Sequence, residues 1–223
     1  MMDTHQHFND IANEYDKWKE KNSYYYDAIK TLLRSKIPSQ ARVLEVGCGT
    51  GDLLAVLSPS VGLGIDISEV MVTLAQKKYA DRSELSFRAL DITTLTKPLP
   101  YDYIFLVDVL EHIENLPKFL EGLKQVVLPN AKIIITLANP LWETVLMLAE
   151  KLGMKMPEGP HWRLSIKENE RLFKQQGWEI AERGYRLLVP KKIPGADFLN
   201  EKFHKSKLLA PLGFIVYWEL IKA

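Results

Sequence analysis

A glycine-rich turn after a short apolar run is the feature that most constrains how this chain can fold. Residues 43–46 (VLEV) have the apolar character of a buried strand, residues 47–51 (GCGTG) follow as a turn, and a helical pattern begins at Asp52. Glycines allow a positive φ and let the backbone approach a ligand closely. A strand, a glycine turn and a helix in this order indicate a sheet that binds a ligand beyond the carboxyl end of its first strand.

Strand and helix patterns alternate along the residues that follow. Apolar, β-branched runs predict strands at 42–46, 61–65, 85–90, 103–107 and 132–137. Helical patterns lie between these runs, so the sequence predicts an α/β fold with a doubly wound parallel sheet covered on both faces. Residues 1–40 precede this sheet and are helical, charged and aromatic in character.

The chain changes character after residue 139. Helical patterns cover 141–152 and 166–176, and strand patterns cover 178–189 and 214–221. Between these two strands, residues 191–212 are basic and show neither period, so we expect irregular structure there.

Composition excludes several classes of protein. With 47% hydrophobic and 26% charged residues, the chain is typical of globular proteins rather than disordered ones. Its one cysteine, Cys48, allows no intrachain disulfide. The first residues lack a cationic start followed by an apolar run, and no 18-residue stretch is free of charge. We therefore expect neither a secretory signal nor a transmembrane segment, and we expect the protein to be cytoplasmic.

Charge is unevenly distributed although the net charge is only +1. Residues 1–150 hold 15 basic and 20 acidic residues, whereas residues 151–223 hold 14 and 8. Because nucleic-acid-binding proteins usually show a stronger basic excess, we expect no nucleic acid partner. The basic C-terminal third favours either an anionic substrate or an anionic membrane surface, unless it only forms solvated helix faces.

Acidic residues follow the next strands where a nucleoside ligand would need them. Asp66 ends the second strand, 19 residues after Gly47, where a carboxylate can accept hydrogen bonds from both ribose hydroxyls. Asp91 follows the third strand at the same sheet edge, where a carboxylate can accept a hydrogen bond from an adenine amine. The fourth strand ends in the segment 107–113 (VDVLEHI), so Asp108 and the residues that follow it should face the reactive end of the ligand.

Taken together, these segments resemble the class I S-adenosylmethionine-dependent methyltransferases of small-molecule type, in particular those of ubiquinone and menaquinone biosynthesis. The matching segments are EVGCGTG at 45–51, GIDIS at 64–68, ALD at 89–91, YDYI at 101–104 and EHI at 111–113, with FNDIANEYD at 8–16 also similar. The resemblance implies a Rossmann-like sheet of seven mostly parallel strands with the last strand antiparallel, and S-adenosylmethionine as cofactor. It implies one domain over 1–223, with a helical cap at 1–40, a cofactor-binding half at 41–138 and a substrate-side half with cap helices at 139–223.

The resemblance also implies roles for individual residues. The expected cofactor-binding residues are Glu45, Gly47, Cys48, Gly49, Gly51, Asp66, Ile67, Asp91, Ile92, Asp108 and Tyr15. Residues 45–51 would lie along the methionine part, with Asp108 near its amino group and sulfonium. Asp66 would bind the ribose and residue 67 would pack on the adenine, whose edge would meet residues 91 and 92. Tyr15, together with Tyr25, would close over the cofactor.

Methyl transfer requires little catalytic equipment, because the sulfonium is already an activated donor and orientation supplies much of the rate. A base is needed only when the nucleophile carries a proton. His112, beside the fourth strand, and His161, in a loop that could cover the site, are the candidate bases. Asp108, Glu111 and His112 lie too close in sequence to surround one ion without further ligands, so no metal is expected.

Soft and aromatic apolar residues in the last 85 residues indicate the kind of methyl acceptor. They are Trp142, Leu146, Met147, Met154, Met156, Trp162 and Phe173, and the basic residues around them are Arg163, Lys191, Lys192, Lys202, Lys205 and Lys207. Such a region suits a small-molecule or amphiphilic acceptor, in particular an anionic one. It also suits a peripheral contact with an anionic membrane. The alternative interpretation is that these residues only belong to a helix that packs on the sheet and has a solvated rim.

Three other functions would require partly different motifs from methyl transfer to a small molecule. A nicotinamide-dependent oxidoreductase would need Gly-x-Gly-x-x-Gly, whereas the glycines here are Gly47, Gly49 and Gly51. A non-catalytic binder of a nucleoside cofactor would keep the same binding motifs. A nucleic-acid amino-methyltransferase would carry Asn/Asp-Pro-Pro-aromatic after the fourth strand, where this chain has DVLE at 108–111.

Overall fold

A mostly parallel seven-stranded sheet organises the computed structural model, which describes residues 3–157, 159, 161–203 and 206–223. The strands are β1 Arg42–Val46, β2 Val61–Asp66, β3 Leu85–Ala89, β4 Tyr103–Val107, β5 Lys132–Ala138, β6 Trp178–Arg186 and β7 Ile215–Lys222. Their spatial order is β3-β2-β1-β4-β5-β7-β6. Strands β1 to β5 pair in parallel, and β7 runs antiparallel to both β5 and β6. The predicted doubly wound sheet with an antiparallel last strand is therefore confirmed.

Eight α-helices are described around this sheet. They are α1 Thr4–Lys21, α2 Ser23–Lys36, α3 Asp52–Val56, α4 Glu69–Lys78, α5 Leu116–Val126, α6 Glu143–Lys151, α7 Ile166–Gln175 and α8 Ala196–Phe203. Local sequence sets several of their starts, because a side-chain oxygen can accept a free N–H of the first turn. Ser68 accepts the Met71 N–H at the start of α4, and Ser165 with Glu168 forms a capping box at the start of α7.

Helix α8 corrects the expectation of irregular structure over 191–212. Its eight residues, ADFLNEKF, mix acidic, amide, basic and apolar side chains without a clear apolar stripe. Phe198 and Leu199 remain exposed on it. Since helix prediction depends on one apolar face, this short helix gave no periodic signal.

Different helices bury the two faces of the sheet. One face is covered by α5, whose Phe119, Leu120 and Leu123 are buried against the central strands. The other is covered by α2 and α3, which contribute Ile29, Leu33 and Leu54. Fully burying each such side chain stabilises the fold by roughly 1.5–3 kcal/mol.

The strand order reverses between β1 and β4. Strands β2 and β3 are added on one side of β1, and β4 and β5 are added on its other side. Strand β1 pairs with β2 on one side and with β4 on the other. Ligands of open α/β sheets bind in the crevice at the carboxyl ends of the strands where such a reversal occurs. The segments that follow β1 and β4, which begin at Gly47 and Asp108, therefore border this crevice.

Helix α1 is fastened to the segments around the crevice by polar side chains. The Ser68 hydroxyl donates to Asn9 Oδ1 at 2.6 Å, and the Thr50 hydroxyl donates to Asp16 Oδ1 at 2.5 Å. Lys19 pairs with Asp52 at 2.7 Å. These contacts connect α1 to the glycine turn and to the starts of α3 and α4, so the helix lies across the crevice.

Candidate active site

The glycine turn adopts a backbone that side chains would obstruct. Gly47, Gly49 and Gly51 have φ values of +74°, +50° and +83°. A Cβ on Gly47 would collide with a methyl group of Val109, and a Cβ on Gly51 would lie 2.6 Å from the Phe87 ring. The turn therefore combines left-handed backbone with close approach of its neighbours, and both require glycine.

Asp66 links this turn to the start of α4. Its Oδ2 accepts the Gly49 N–H at 2.8 Å, and its Oδ1 accepts the Ser68 N–H at 2.9 Å. Burial raises the pKa of this carboxyl above its ordinary value, and the hydrogen bonds from Ser68 and Gly49 oppose that rise. Each carboxylate oxygen has a further lone pair, so the carboxylate can still accept hydrogen bonds from a ligand.

A first cavity of about 310 Å³ lies beside Asp66. Eight of the residues predicted to bind the cofactor line it, namely Tyr15, Gly47, Gly49, Asp66, Ile67, Asp91, Ile92 and Asp108. The Asp91 carboxylate accepts the Thr93 N–H at 2.8 Å and so caps a short 3-10 helix, Ile92–Thr94. The structure thus brings these eight residues together around one cavity, and their binding of the cofactor stays a prediction.

A second cavity of about 310 Å³ adjoins the first. The two share Phe8, Tyr15, Gly47, Val107, Asp108 and His112. Glu45 and Cys48, two further predicted cofactor residues, line only the second cavity. Gly51 lines neither, and its backbone instead begins α3.

Asp108 stands where the two cavities meet and has a strained backbone. Its φ is +53°, in the left-handed region that non-glycine residues avoid. The Tyr25 hydroxyl donates to its Oδ2 at 2.6 Å, while its buried Oδ1 has no hydrogen-bond partner within the described part of the chain. Burial raises the pKa of Asp108, and the Tyr25 hydrogen bond counteracts this. Such strain is typical of functional positions.

A charge cluster, formed by buried Glu111 and half-buried Asp108, Lys155 and Arg163, surrounds this point. Burial, followed by the negative charge of Asp108, raises the pKa of Glu111 to about 8. Burial, followed by the positive charge of Arg163, lowers the pKa of Lys155 to about 8. Both Glu111 and Lys155 line the second cavity. Ionisable groups perturbed in this way concentrate at functional sites.

Sequence patterns assigned no individual role to Lys155 or Glu111, although Glu111 lies in the segment expected to face the reactive end of the ligand. Lys155 lies in a loop between α6 and α7, where no period or motif marks it. Glu111 lies in the segment DVLEH at 108–112, close to Asp108, but a carboxylate after a strand is usually solvated. Only the fold shows that Glu111 is 6% exposed.

The two candidate bases lie in different places. His112 lines both cavities, and its ring meets the Phe8 ring edge to face with centroids 5.0 Å apart. His161 lines neither cavity; its Nδ1 is 3.1 Å from the Gly159 carbonyl oxygen and its Nε2 is 3.6 Å from Glu143. The structure therefore brings His112, but not His161, to the predicted cofactor residues.

Some of the predicted acceptor-side residues line the second cavity and others do not. Leu146, Met154, Met156 and Lys191 contribute to its wall. Phe173 is instead buried against Trp218, with ring centroids 5.6 Å apart. Lys205 lies outside the described residues. Helices α1, α2 and α6 supply part of the remaining wall, and segments at the carboxyl ends of β1 and β4 supply another part.

Comparison with known proteins places this geometry in a family. Residues 18–183 match the family described as "Methyltransferase domain". An uncharacterised protein of Methanocaldococcus jannaschii is 33% identical over 133 residues, which are 57% of this chain and 59% of that protein. The mitochondrial ubiquinone biosynthesis O-methyltransferase of Schizosaccharomyces pombe is 28% identical over 196 residues, which are 78% of this chain and 71% of that enzyme.

A solved structure shares the fold along the whole chain. It is an S-adenosylmethionine-dependent methyltransferase of Thermotoga maritima, described as a possible histamine N-methyltransferase. The match has a TM-score of 0.74 at 18% identity and covers 99% of this chain and 100% of that one. These findings confirm the resemblance and favour it over a nicotinamide-dependent oxidoreductase. The chain therefore belongs to the methyltransferase domain family and has the fold of the S-adenosylmethionine-dependent methyltransferases.

Proposed function

We propose that this protein transfers a methyl group from S-adenosylmethionine to a small-molecule acceptor. The observation that carries the proposal is the pair of adjoining cavities, which share the wall formed by Gly47, Val107 and Asp108. When bound, S-adenosylmethionine supplies a methyl group activated by its sulfonium. One cavity can hold a nucleoside while the other admits an acceptor, so the reacting atoms meet at the shared wall.

The residues present fit the cofactor chemically. Left-handed Gly47 and Gly49 leave room for close approach of a ligand to the backbone. We propose that Asp66 binds the ribose hydroxyls, that Asp91 and the Ile92 N–H bind the adenine edge, and that Ile67, which is 39% exposed, packs on the ring.

Acidic groups serve the charged end of the cofactor in this proposal. Glu45 and Asp108 would face the cationic methionine part, because opposite charges attract strongly where water is excluded. The Tyr15 ring packs closely over Gly49, where an added Cβ would be 3.1 Å from it. We assign Tyr15 the role of closing the turn side of the cavity. His112, which lines both cavities, is a candidate base beside these groups, and His161 stays a predicted base that lies outside both cavities.

An amphiphilic acceptor fits the second cavity best. Its wall combines apolar and aromatic side chains of α1, α2 and α6 with three members of the charge cluster, Asp108, Glu111 and Lys155. Val145 and Met154 line this cavity and are also 53% and 40% exposed, so its apolar wall continues onto the surface. An acceptor with a polar reacting end and an apolar tail could therefore place its tail at this opening.

A peripheral contact with an anionic membrane is part of the proposal. Leu141, Val145, Leu148 and Leu152 are spaced by four, three and four residues and are each more than half exposed. They form an apolar stripe on and beside α6, and exposed Lys191 lines the same cavity as Val145, a combination typical of interfacial contacts. Within the described residues, no helix has the length and apolarity needed to cross a membrane.

Calorimetric titration tests the cofactor. We expect S-adenosylmethionine and S-adenosylhomocysteine to bind with micromolar dissociation constants. The reason is that the glycine turn, Asp66 and Asp91 together suit the ribose and adenine that both compounds contain. NAD should give no heat above dilution. Binding of NAD, or no binding of either sulfur nucleoside, would contradict the proposed function.

Vesicle flotation tests the membrane contact. Leu148 is 57% exposed and does not line the second cavity, so Leu148→Asp changes the stripe without changing the acceptor site. We expect it to reduce binding to vesicles containing phosphatidylglycerol by about fivefold or more. Val61→Asp, at a 48% exposed residue of β2, is the matched control and should bind as wild type. Equal flotation of the two variants would exclude the α6 stripe as the contact.

A further inference from the structure

We propose that Glu111 accepts the proton of the methyl acceptor, and that the acceptor presents a hydroxyl group to it. This inference rests on the proposed methyl transfer and adds to it a catalytic residue and a substrate class. It stands on the position of one side chain in the second cavity, on the charges that face it, and on the chemistry of the groups that can be methylated.

Glu111 is held rigidly beside the cavity. It belongs to a 3-10 helix, Leu110–His112, that directly follows β4, and its carbonyl oxygen accepts the Trp162 N–H at 2.6 Å. The residue is 6% exposed and lines the second cavity. Its Oε2 is buried and has no hydrogen-bond partner within the described ranges. A buried carboxyl oxygen without a partner is costly, and a ligand that donates a hydrogen bond to it would remove that cost.

The groups that face Glu111 leave its carboxyl able to take up a proton at neutral pH. Asp108 opposes the negative charge of Glu111, whereas Arg163 and Lys155 favour it. His112 follows Glu111 in the same 3-10 helix. Burial and the Asp108 charge outweigh the two cations and raise the pKa of Glu111 to about 8. A base is most effective when its pKa lies near the working pH.

A hydroxyl is the acceptor group that these surroundings favour. A carboxylic acid is already ionised at neutral pH, so it has no proton for Glu111 to accept. An arylamine is neutral and attacks through its lone pair, so it needs no proton acceptor before the new bond forms. A hydroxyl is neutral, can donate one hydrogen bond to Glu111 Oε2, and becomes a better nucleophile as its proton leaves.

The proposed step balances with the groups named. The acceptor oxygen forms a bond to the methyl carbon, and the bond from that carbon to sulfur breaks. The electron pair of the broken bond remains on sulfur, which becomes a neutral thioether. The hydroxyl proton moves to Glu111 Oε2 and leaves to solvent after the product departs. The step needs no oxidant or reductant.

Matched probe acceptors test the substrate class. The probes are 4-nonylcatechol, 4-nonylaniline and 4-nonylbenzoate, which share one apolar tail and differ in the group offered. We expect wild-type protein with S-adenosylmethionine to methylate the catechol at least tenfold faster than either of the others. Faster methylation of the aniline or the benzoate, or methylation of none of the three, would overturn the hydroxyl assignment.

Glu111→Gln tests the residue. It keeps the size of the side chain and removes its ability to accept a proton, so kcat for the catechol should fall by about 100-fold or more. In wild type, kcat/KM should rise with pH up to about 8 as Glu111 ionises. In the variant this rise should occur only near pH 10, where a phenol ionises by itself. Glu114→Gln, three residues away at an exposed position, is the control and should behave as wild type.

Unfolding without any ligand gives a second readout. Glu111 releases its proton near pH 4.5 in the unfolded chain but near 8 in the folded protein. Stability therefore falls between these two pH values and stays lowered above them. Glu111→Gln should remove this loss, so its melting temperature relative to wild type should be higher at pH 9 than at pH 5.

The outcomes separate this inference from the proposed function. If wild type fails to bind S-adenosylhomocysteine, the proposed function fails. If it binds and methylates the catechol, but Glu111→Gln loses less than threefold activity and shows no pH-dependent gain in melting temperature, only the role of Glu111 is overturned. If His112→Gln instead removes the rise near pH 8, the proton acceptor is His112.

Discussion

Replacing Asp66 by alanine is expected to weaken S-adenosylhomocysteine binding by at least about 100-fold. In the proposed complex this carboxylate accepts hydrogen bonds from two ribose hydroxyls, and a hydrogen bond to a charged group contributes roughly 1.5–3 kcal/mol. The loss of two such bonds corresponds to roughly 3–6 kcal/mol, and 1.4 kcal/mol is a factor of about ten in affinity. Calorimetric titration of wild type and variant measures the change directly.

Two further variants make this result specific. Asp66→Asn keeps one acceptor oxygen and the shape of the side chain, so it should bind with intermediate affinity. Asp102→Ala carries the same substitution at the opposite end of the sheet, where Asp102 pairs with Arg42 at 2.7 Å, and should leave binding unchanged. Unchanged affinity in Asp66→Ala, with a normal melting temperature, would contradict the ribose assignment.

Replacing Gly47 by alanine is expected to reduce both stability and cofactor affinity. Left-handed backbone costs a non-glycine residue roughly 1–2 kcal/mol, and the added Cβ would collide with Val109, which costs roughly 1–3 kcal/mol more. We therefore expect the free energy of unfolding to fall by about 2–5 kcal/mol, measured by urea denaturation. Affinity for S-adenosylhomocysteine should fall about tenfold to 100-fold, because Gly47 forms part of the wall shared by both cavities.

A matched glycine isolates the effect of close packing. Gly195 also has a positive φ, +82°, but an added Cβ there would meet no atom within 4 Å. Gly195→Ala should therefore lose only the backbone contribution, about 1–2 kcal/mol, and should bind the nucleoside normally. Combining Gly47→Ala with Val109→Ala should recover part of the loss. Equal destabilisation by the two glycine variants would show that the contact with Val109 is unimportant.

Strands of this protein were predictable because each is an apolar run bounded by turn residues. The five parallel strands lie within one residue of their predicted ends. Strand β6 ends at Arg186, three residues before the predicted end, since Leu187 has a φ of +62° and leaves the extended backbone. Helix α8 escaped prediction because its eight residues show no apolar stripe. The local sequence pattern was therefore enough to predict an element wherever one face, or both faces, of that element are buried.

The candidate site was predictable only in part. The glycines of the turn, Asp66 and Asp91 could be predicted because each lies at or directly after the end of a predicted strand. The carboxyl ends of parallel strands lie at the same edge of the sheet. Glu111 and Lys155 depend on which loops and helices fold over that edge, and burial of a charged side chain has no local signature. His161 illustrates the same point, because its loop turns toward Glu143 rather than the cavities.

The two cavities differ in what builds their walls, and this difference affects how the protein could change over time. Much of the first wall comes from segments at the carboxyl ends of β1 to β4, where most substitutions would disturb the sheet itself. Much of the second comes from α1, α2, α6 and the loop after α6, which lie outside the sheet. Substitutions at exposed cavity positions such as Val145 and Met154 alter the shape offered to an acceptor at little cost to folding. One nucleoside-binding scaffold could thus acquire new acceptors through changes at such positions alone.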